Sequence, residues 1–347
     1  MRKRGDIFPS GTSDDAEFLF TRRRVILAAA GFGLSAGLPA PAVMAEERIL
    51  RIGYLFAKES HLGAGTTAFG NEVATRTGGR YRIEAYPNGT LGGEVEMVEE
   101  LQRGNLDIAF LTNAPFGNII PELGLFDLPF LIRDAAHAHK LFDGPLGREY
   151  LAKFPSKGLV GLAWGENGMR HITNSKHPVT SLADLKGLKL RVPQSDVMIA
   201  GFSALGVDAK PLAFPALYSA LQAGQFDGQE NPMAVIVASH FERVQKYLTL
   251  TGHVYSWAVI VVSRHLWETL SESDRQAFVE AAVIGGQVSR DRAGEAERSG
   301  VDQVRQQGMQ VTTSIDRAPF EQAMAPTMAQ FAQKYGQDIF DRVRAVQ

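Results

Sequence analysis

The segment Leu221–Pro232 reads LQAGQFDGQENP, and its first seven residues echo LQRGNLD at Leu101–Asp107, 120 positions earlier. Both copies end a helical pattern: Met97 and Leu101 in the first, Leu217 and Leu221 in the second, stand at i, i+4 and so share a helix face. A glycine follows in each, Gly104 or Gly224, placed where a helix C-cap favours a left-handed residue. A short segment then opens on Leu106 or Phe226. Two such αβ units point to two similar lobes with a cleft between them. The acids that close the echo, Asp107 and Asp227, are expected to brace a turn rather than to work as a catalytic pair with Glu230. Gly228 permits a bend and Pro232 stiffens the exit of what reads as a loop, while Glu230 receives no role.

The chain has 347 residues, 45% hydrophobic and 21% charged, ordinary values for a globular protein with room for two domains. Its formal net charge is −2, and no Lys/Arg-rich run follows residue 24, so nothing points to a nucleic-acid partner. There is no cysteine, which excludes disulfides, thiolate nucleophiles, zinc–thiolate sites and lipid attachment through an N-terminal Cys. TRRRVILAAAGFGLSAGLPAPAVMAEE (Thr21–Glu47) carries Arg22, Arg23 and Arg24 before an apolar run from Val25 to Leu38, with Val43 and Ala45 at −3 and −1 of a cut before Glu46. The run is too short to span a bilayer comfortably. Residues 1–45 are therefore read as a twin-arginine-type export signal, the alternative being an uncleaved anchor, and the remainder as a soluble periplasmic protein.

Ile49–Phe56 alternates as a strand, Gly63–Thr77 reads as a helix, and Arg80–Pro87 as a second strand ending in the turn PNGTLGG. That order predicts a βαβ unit and a parallel or mixed sheet. Ser271–Gly308 opens with a capping pattern and reads as one very long helix, or two joined near Gly285–Gly286, able to brace both lobes. Ala318–Val346 adds terminal helical segments.

Two arginines stand out. Arg191, in LKGLKLRVPQS (Leu185–Ser195), ends a strand pattern just before a proline; strand ends of open α/β sheets are where ligands bind, and a guanidinium suits a carboxylate bidentately. Arg170 lies in the Gly/Asn-bearing segment WGENGMRHITNSKHP (Trp164–Pro178). For each, the competing reading is an ordinary salt bridge or surface charge. His137 and His139 are two apart on an expected helix and no HExxH occurs, so no metal site is expected. GxSxG and P-loop patterns are absent. Trp164, Trp257 and Phe214 read first as core.

YPNGTLGGEVEMVEELQRGNLDIAF (Tyr86–Phe110), DLPFL (Asp127–Leu131), ENGMRHITNSKHPV (Glu166–Val179), DLKGLKLRVPQS (Asp184–Ser195), LYSALQAGQFDGQENP (Leu217–Pro232) and FERVQKYLTLTGHVYS (Phe241–Ser256) follow in this order. Together they resemble the substrate-binding subunits of TRAP (tripartite ATP-independent periplasmic) transporters, the dicarboxylate-binding-protein family, over essentially the whole chain after residue 45. The resemblance implies a two-lobed α/β periplasmic binding protein fold with mixed sheets, a cleft between lobes and a long helix bracing both. Lobe I is placed at 46–167 plus about 257–297, lobe II at 168–256 plus about 298–347. Periplasmic binding proteins are the standard example of hinge closure on a ligand. The ligand implied is an organic acid anion, passed to TRAP membrane subunits driven by an ion gradient; neither cofactor nor metal is implied, and a monomer is expected.

Position by position, Arg191 matches the family's carboxylate-clamping arginine, Asn231 an asparagine whose amide joins that clamp, and Arg170 a second arginine near the same carboxylate. Phe214 matches an aromatic lining the pocket, and Gln194 and Ser195 the polar loop after the clamp. Glu94 falls where sugar-acid binders place an acid facing ligand hydroxyls, Thr112 and Asn113 on a strand-end loop facing the ligand, and His61 on the first strand–helix loop. Glu94 and Phe214 occupy equivalent positions in the two echoing units. Relatives that bind sialic acid carry an acid at the position of Thr112 and a polar residue at that of Leu55, so a smaller acid is expected: a C4-dicarboxylate, an oxo or hydroxy monocarboxylate, or a sugar acid. The alternatives are an exported enzyme using Asp227, Glu230 or Glu94, and a co-receptor for a sensor.

Overall fold

The structure, a computed structural model, describes residues 47–346; the expected export signal lies outside the described residues. Among the described residues, nine strands form one mixed sheet: β1 (Arg48–Gly53), β2 (Tyr81–Tyr86), β3 (Ile108–Thr112), β4 (Leu159–Asn174), β5 (Lys189–Val192), β6 (Asp208–Pro211), β7 (Gly228–Pro232), β8 (Tyr247–Ser263) and β9 (Gln310–Thr312). Their order is β2-β1-β3-β8-β4-β7-β5-β6, with β9 on β8. At each end lies a parallel trio whose first strand is central, β2-β1-β3 and β6-β5-β7. Between them run the two long antiparallel strands β4 and β8, one joining each trio. The two trios have the same connectivity, strand–helix–strand–helix–strand.

The echo sits at the same place in both. Helices Glu94–Arg103 and Leu217–Gln222 end before Gly104 and Gly224, both left-handed at φ 77° and 68°. In each, the N–H of the residue after the glycine, Asn105 or Gln225, returns to a carbonyl of the last turn. The expected bracing by the acids is seen in detail. Asp107 accepts the backbone N–H of Arg51 in β1 at 2.9 Å, and Asp227 that of Lys189 in β5 at 2.9 Å. Each carboxylate ties the start of its trio's third strand to the first.

Where the sequence read a loop at DGQENP, the chain forms β7, a short strand buried along its whole length. Turn-like composition misleads here because the polar groups find partners inside: Gln229 donates to Thr173 at 2.9 Å, and Glu230 receives Arg170. The Gly/Asn-rich segment around Arg170 likewise belongs to β4, which with β8 crosses from one trio to the other. Register shifts at Gly161/Ala163, Glu166/Gly168 and Arg170/Ile172 mark the crossing, and Gly168 has φ +123°, a bend that a side chain would resist.

The long helix is continuous from Glu272 to Gln306 and opens on Ser271, whose side chain accepts the N–H of Asp274. Gly285 and Gly286 do not break it. A Cβ at Gly286 would stand 2.2 Å from the carbonyl oxygen of Trp164, and one at Gly285 2.8 Å from that of Gly65, so the pair lets the helix backbone lie directly on β4 and on helix His61–Arg76. Farther along, Gly300 packs against Met233 and Val237 beside the other trio. One continuous helix thus rests beside both trios, as its length predicted.

Candidate functional site

Both trios deliver side chains at the carboxyl ends of their strands, where ligands of open α/β sheets bind. From the second comes Arg191 at the end of β5, only 3% exposed. Its Nε donates to the carbonyl of Leu212 at 2.8 Å, and its guanidinium stands 5.9 Å from the ring centre of Phe214. Among the described residues neither terminal nitrogen has a hydrogen-bond or ion-pair partner. Burial lowers its pKa to about 10, with Glu230 opposing and Arg170 adding to the fall. A buried, charged fork with two unspent donor groups can receive an anion.

Around it, Glu94, Gln194, Phe214, Leu55 and Pro115 line one narrow pocket. Glu94 opens helix Glu94–Arg103. Its carboxylate accepts the N–H of Thr112 at 2.6 Å and the hydroxyl of Thr112 at 2.9 Å. Burial raises its pKa, against the pull of Thr112, Arg191 and Arg170. Thr112 therefore aims Glu94. Each Glu94 oxygen keeps a lone pair for a hydroxyl donor.

Arg170 is placed otherwise. It is 2% exposed and its guanidinium is engaged by Glu230, Nε to Oε2 at 2.5 Å and Nη2 to Oε1 at 2.8 Å, with further Nη2 bonds to the Glu230 carbonyl at 2.7 Å and to Asn231 Oδ1 at 3.3 Å. Glu230 also accepts from His253 Nε2 at 3.0 Å, and Thr251 stands 2.6 Å from His253 Nδ1. Burial pushes the Glu230 carboxyl up, but Arg170 and His253 outweigh it and leave it below its ordinary value; burial holds His253 below its own. Sequence reasoning left Glu230 without a role, and the structure makes it the counter-ion of Arg170. The Asn231 amide donates to Gln229 Oε1, which fixes its rotamer at the end of β7.

His61, Asn113 and Ser195 are not among the residues lining that pocket; they join a buried polar chain that passes through residues the sequence reading did not single out. His61 Nε2 meets Asn167 Oδ1 at 2.9 Å, and Asn167 donates to Ser256 at 3.0 Å. Ser256 donates to Asn113, Asn113 to Asp127, and Ser195 to the other oxygen of Asp127 at 3.2 Å. Burial lowers the His61 pKa to about 4, so its ring is neutral at pH 7. Ser195 caps helix Asp196–Ala204 beside the β6-β5-β7 trio, so its bond to Asp127 ties that trio to the chain that follows β3. Asn118, whose amide reaches the carbonyl of Gln194 at 3.0 Å, does the same. The signal for Asp127 was an isolated acid in the apolar run Leu123–Ile132.

Burial raises the Asp127 pKa to about 7, against the hydrogen bonds of Asn113 and Ser195. Between the ordinary carboxylate value of 3.8 and about 7, the folded protein holds a proton that the unfolded chain has released. Asp127 therefore makes stability fall as pH rises through that window. Asp127→Asn is expected to gain stability relative to the parent from pH 5 to pH 8 in denaturant melts. Parallel pH profiles for the two proteins would refute the assignment.

A model of the bacterial extracellular solute-binding proteins, family 7 (DctP), matches residues 52–334. A solute-binding protein of Verminephrobacter eiseniae is 44% identical over 306 residues, covering 88% of this chain and 91% of the relative. A TRAP periplasmic solute-binding protein from Polaromonas sp. JS666, bound to D-erythronate, superposes with a TM-score of 0.86 at 45% identity, covering 87% of this chain and 99% of the other. One from Bordetella bronchiseptica, with density assigned to pantoate, gives a TM-score of 0.85 at 38% identity, covering 87% and 100%.

Proposed function

Because the chain belongs to family 7 of the bacterial extracellular solute-binding proteins, the binding subunits of TRAP transporters, we propose that it captures a small hydroxy monocarboxylate in the cleft beside Arg191. The observation that carries this reading is the Arg191 guanidinium itself, buried and without a carboxylate partner among the described residues. The family is one of binding proteins rather than enzymes, which sets aside turnover by Asp227, Glu230 or Glu94.

Arg191 takes the ligand carboxylate through its two free nitrogens, and the Asn231 amide completes the clamp by exchanging Gln229 for the ligand. Arg170 acts from behind: it orients Asn231 through its 3.3 Å bond and adds positive potential. Glu94 accepts ligand hydroxyls and disfavours a second carboxylate, a repulsion of about 1 kcal/mol or more depending on separation and dielectric. That selects hydroxy acids over C4-dicarboxylates, in keeping with the D-erythronate and pantoate of the two similar structures. Lobe closure seals the site, and the loaded protein, exported by the twin-arginine route, delivers its ligand to TRAP membrane subunits in the periplasm.

A thermal-shift screen of aldonates, 2-hydroxy acids and C4-dicarboxylates tests this. A ligand raises stability as ln(1+[L]/Kd), so hydroxy monocarboxylates should raise Tm in a dose-dependent way and succinate should not. No response to any carboxylate at millimolar concentration would overturn the reading.

A further inference from the structure

Leu55 of the first lobe and Phe214 of the second line both the pocket beside Arg191 and a second, more open groove, and so stand as a wall between the two. That outer groove is lined by Asn88, Pro215, Tyr218, Ser239 and Phe241. It follows the seam between lobes, where a Cβ on Gly89 would come 3.0 Å from Pro215 and 3.5 Å from Leu55.

The two halves of the wall differ in how they are held. Phe214 is gripped on several sides: Phe56 meets it edge-on at 5.0 Å, Phe241 lies at 6.4 Å, and the Arg191 guanidinium at 5.9 Å. Leu55 contributes only a side chain, since the backbone on either side is pinned. Gly89 N–H donates to the carbonyl of Tyr54 at 3.0 Å and Asn88 N–H to that of Phe56 at 2.9 Å. Shortening Leu55 would open the wall without releasing the turn that carries it.

We propose that Leu55, closing against Phe214, is a gauge that limits the chain length of the acid that the site accepts. This rests on the reading that Arg191 anchors the carboxylate. An acid anchored there extends toward the wall, and each added carbon brings its far end one bond closer to the Leu55 methyls. With those methyls gone, inner pocket and outer groove become one channel, and the hydroxyls of a longer aldonate reach the polar groups of Asn88, Tyr218 and Ser239.

The test is calorimetric titration of the wild-type protein, Leu55→Val and Leu55→Ala with D-erythronate, a four-carbon acid, and D-galactonate, a six-carbon acid. The wild type should prefer erythronate at least tenfold. The ratio of the two affinities should move toward galactonate by at least tenfold in Leu55→Ala and by an intermediate factor in Leu55→Val, with erythronate itself bound severalfold more weakly. The milder Val variant keeps the test informative if the Ala variant folds poorly. Erythronate bound with an unmoved ratio in both variants, or a wild type that takes galactonate equally well, overturns the gauge and leaves the function standing. A wild type that binds neither acid overturns the gauge, and the function reading falls with it only if the carboxylate screen also gives no response.

Discussion

Arg191→Met should lose carboxylate binding while the ligand-free protein becomes no less stable, and this opposition of signs is what separates a ligand clamp from a structural arginine. Removing one partner of a buried, hydrogen-bonded charge pair costs about 2–5 kcal/mol, a loss of affinity of roughly 30- to several-thousand-fold. In the empty protein the same guanidinium is a liability. It is 3% exposed and makes no ion pair among the described residues, and its burial, with repulsion from Arg170, outweighs the attraction of Glu230 and Glu94. Burying charge without a partner costs folding energy, so a methionine of similar length should hold or raise the ligand-free Tm. Arg191→Lys keeps the charge but replaces a planar fork with a point, and should also bind far more weakly. Calorimetry and melting of the three proteins decide the matter. Unchanged affinity in Arg191→Met, or a clear fall in its ligand-free Tm, would show that the residue serves the fold.

The sequence carried the two-lobed plan because the plan is repeated. Gly104 and Gly224 must be left-handed, and Asp107 and Asp227 must meet a neighbouring strand's N–H; such local demands leave identical residues behind. The place of Arg191 at the end of β5 was legible locally, between a strand pattern and Pro193. What stayed hidden depends on pairing across long distances. β4 and β7 are rich in Gly, Asn, Gln and Glu, residues that read as turn until their partners are known, and those partners lie in other strands. Glu230 could not be placed from the sequence because nothing local connects it with Arg170, 60 residues away. Asp127, Asn167 and Ser256 likewise acquire meaning only as successive links of one buried chain.

The second arginine should behave in the opposite way. Arg170 and Glu230 are 2% and 0% exposed and joined by two side-chain hydrogen bonds, so removing either leaves a buried charge without its main counter-ion. Breaking a buried pair from one side costs about 3–5 kcal/mol, whereas replacing both partners with apolar residues of similar volume is far milder. Arg170→Met and Glu230→Met should therefore each lower the ligand-free stability by about that amount, and the double variant should recover much of it, a coupling that a denaturant-melt cycle measures directly. His253 adds a check: with Glu230 gone, its Nε2 loses the acceptor at 3.0 Å, so Glu230→Met should be the more damaging single change. Additive losses in the double variant would mean that the pair is not the unit the geometry describes. If the cycle closes as expected while Arg191→Met melts no lower than its parent, then of two buried arginines reaching one cleft, the protein has neutralised one with its own carboxylate and kept the other for a ligand's.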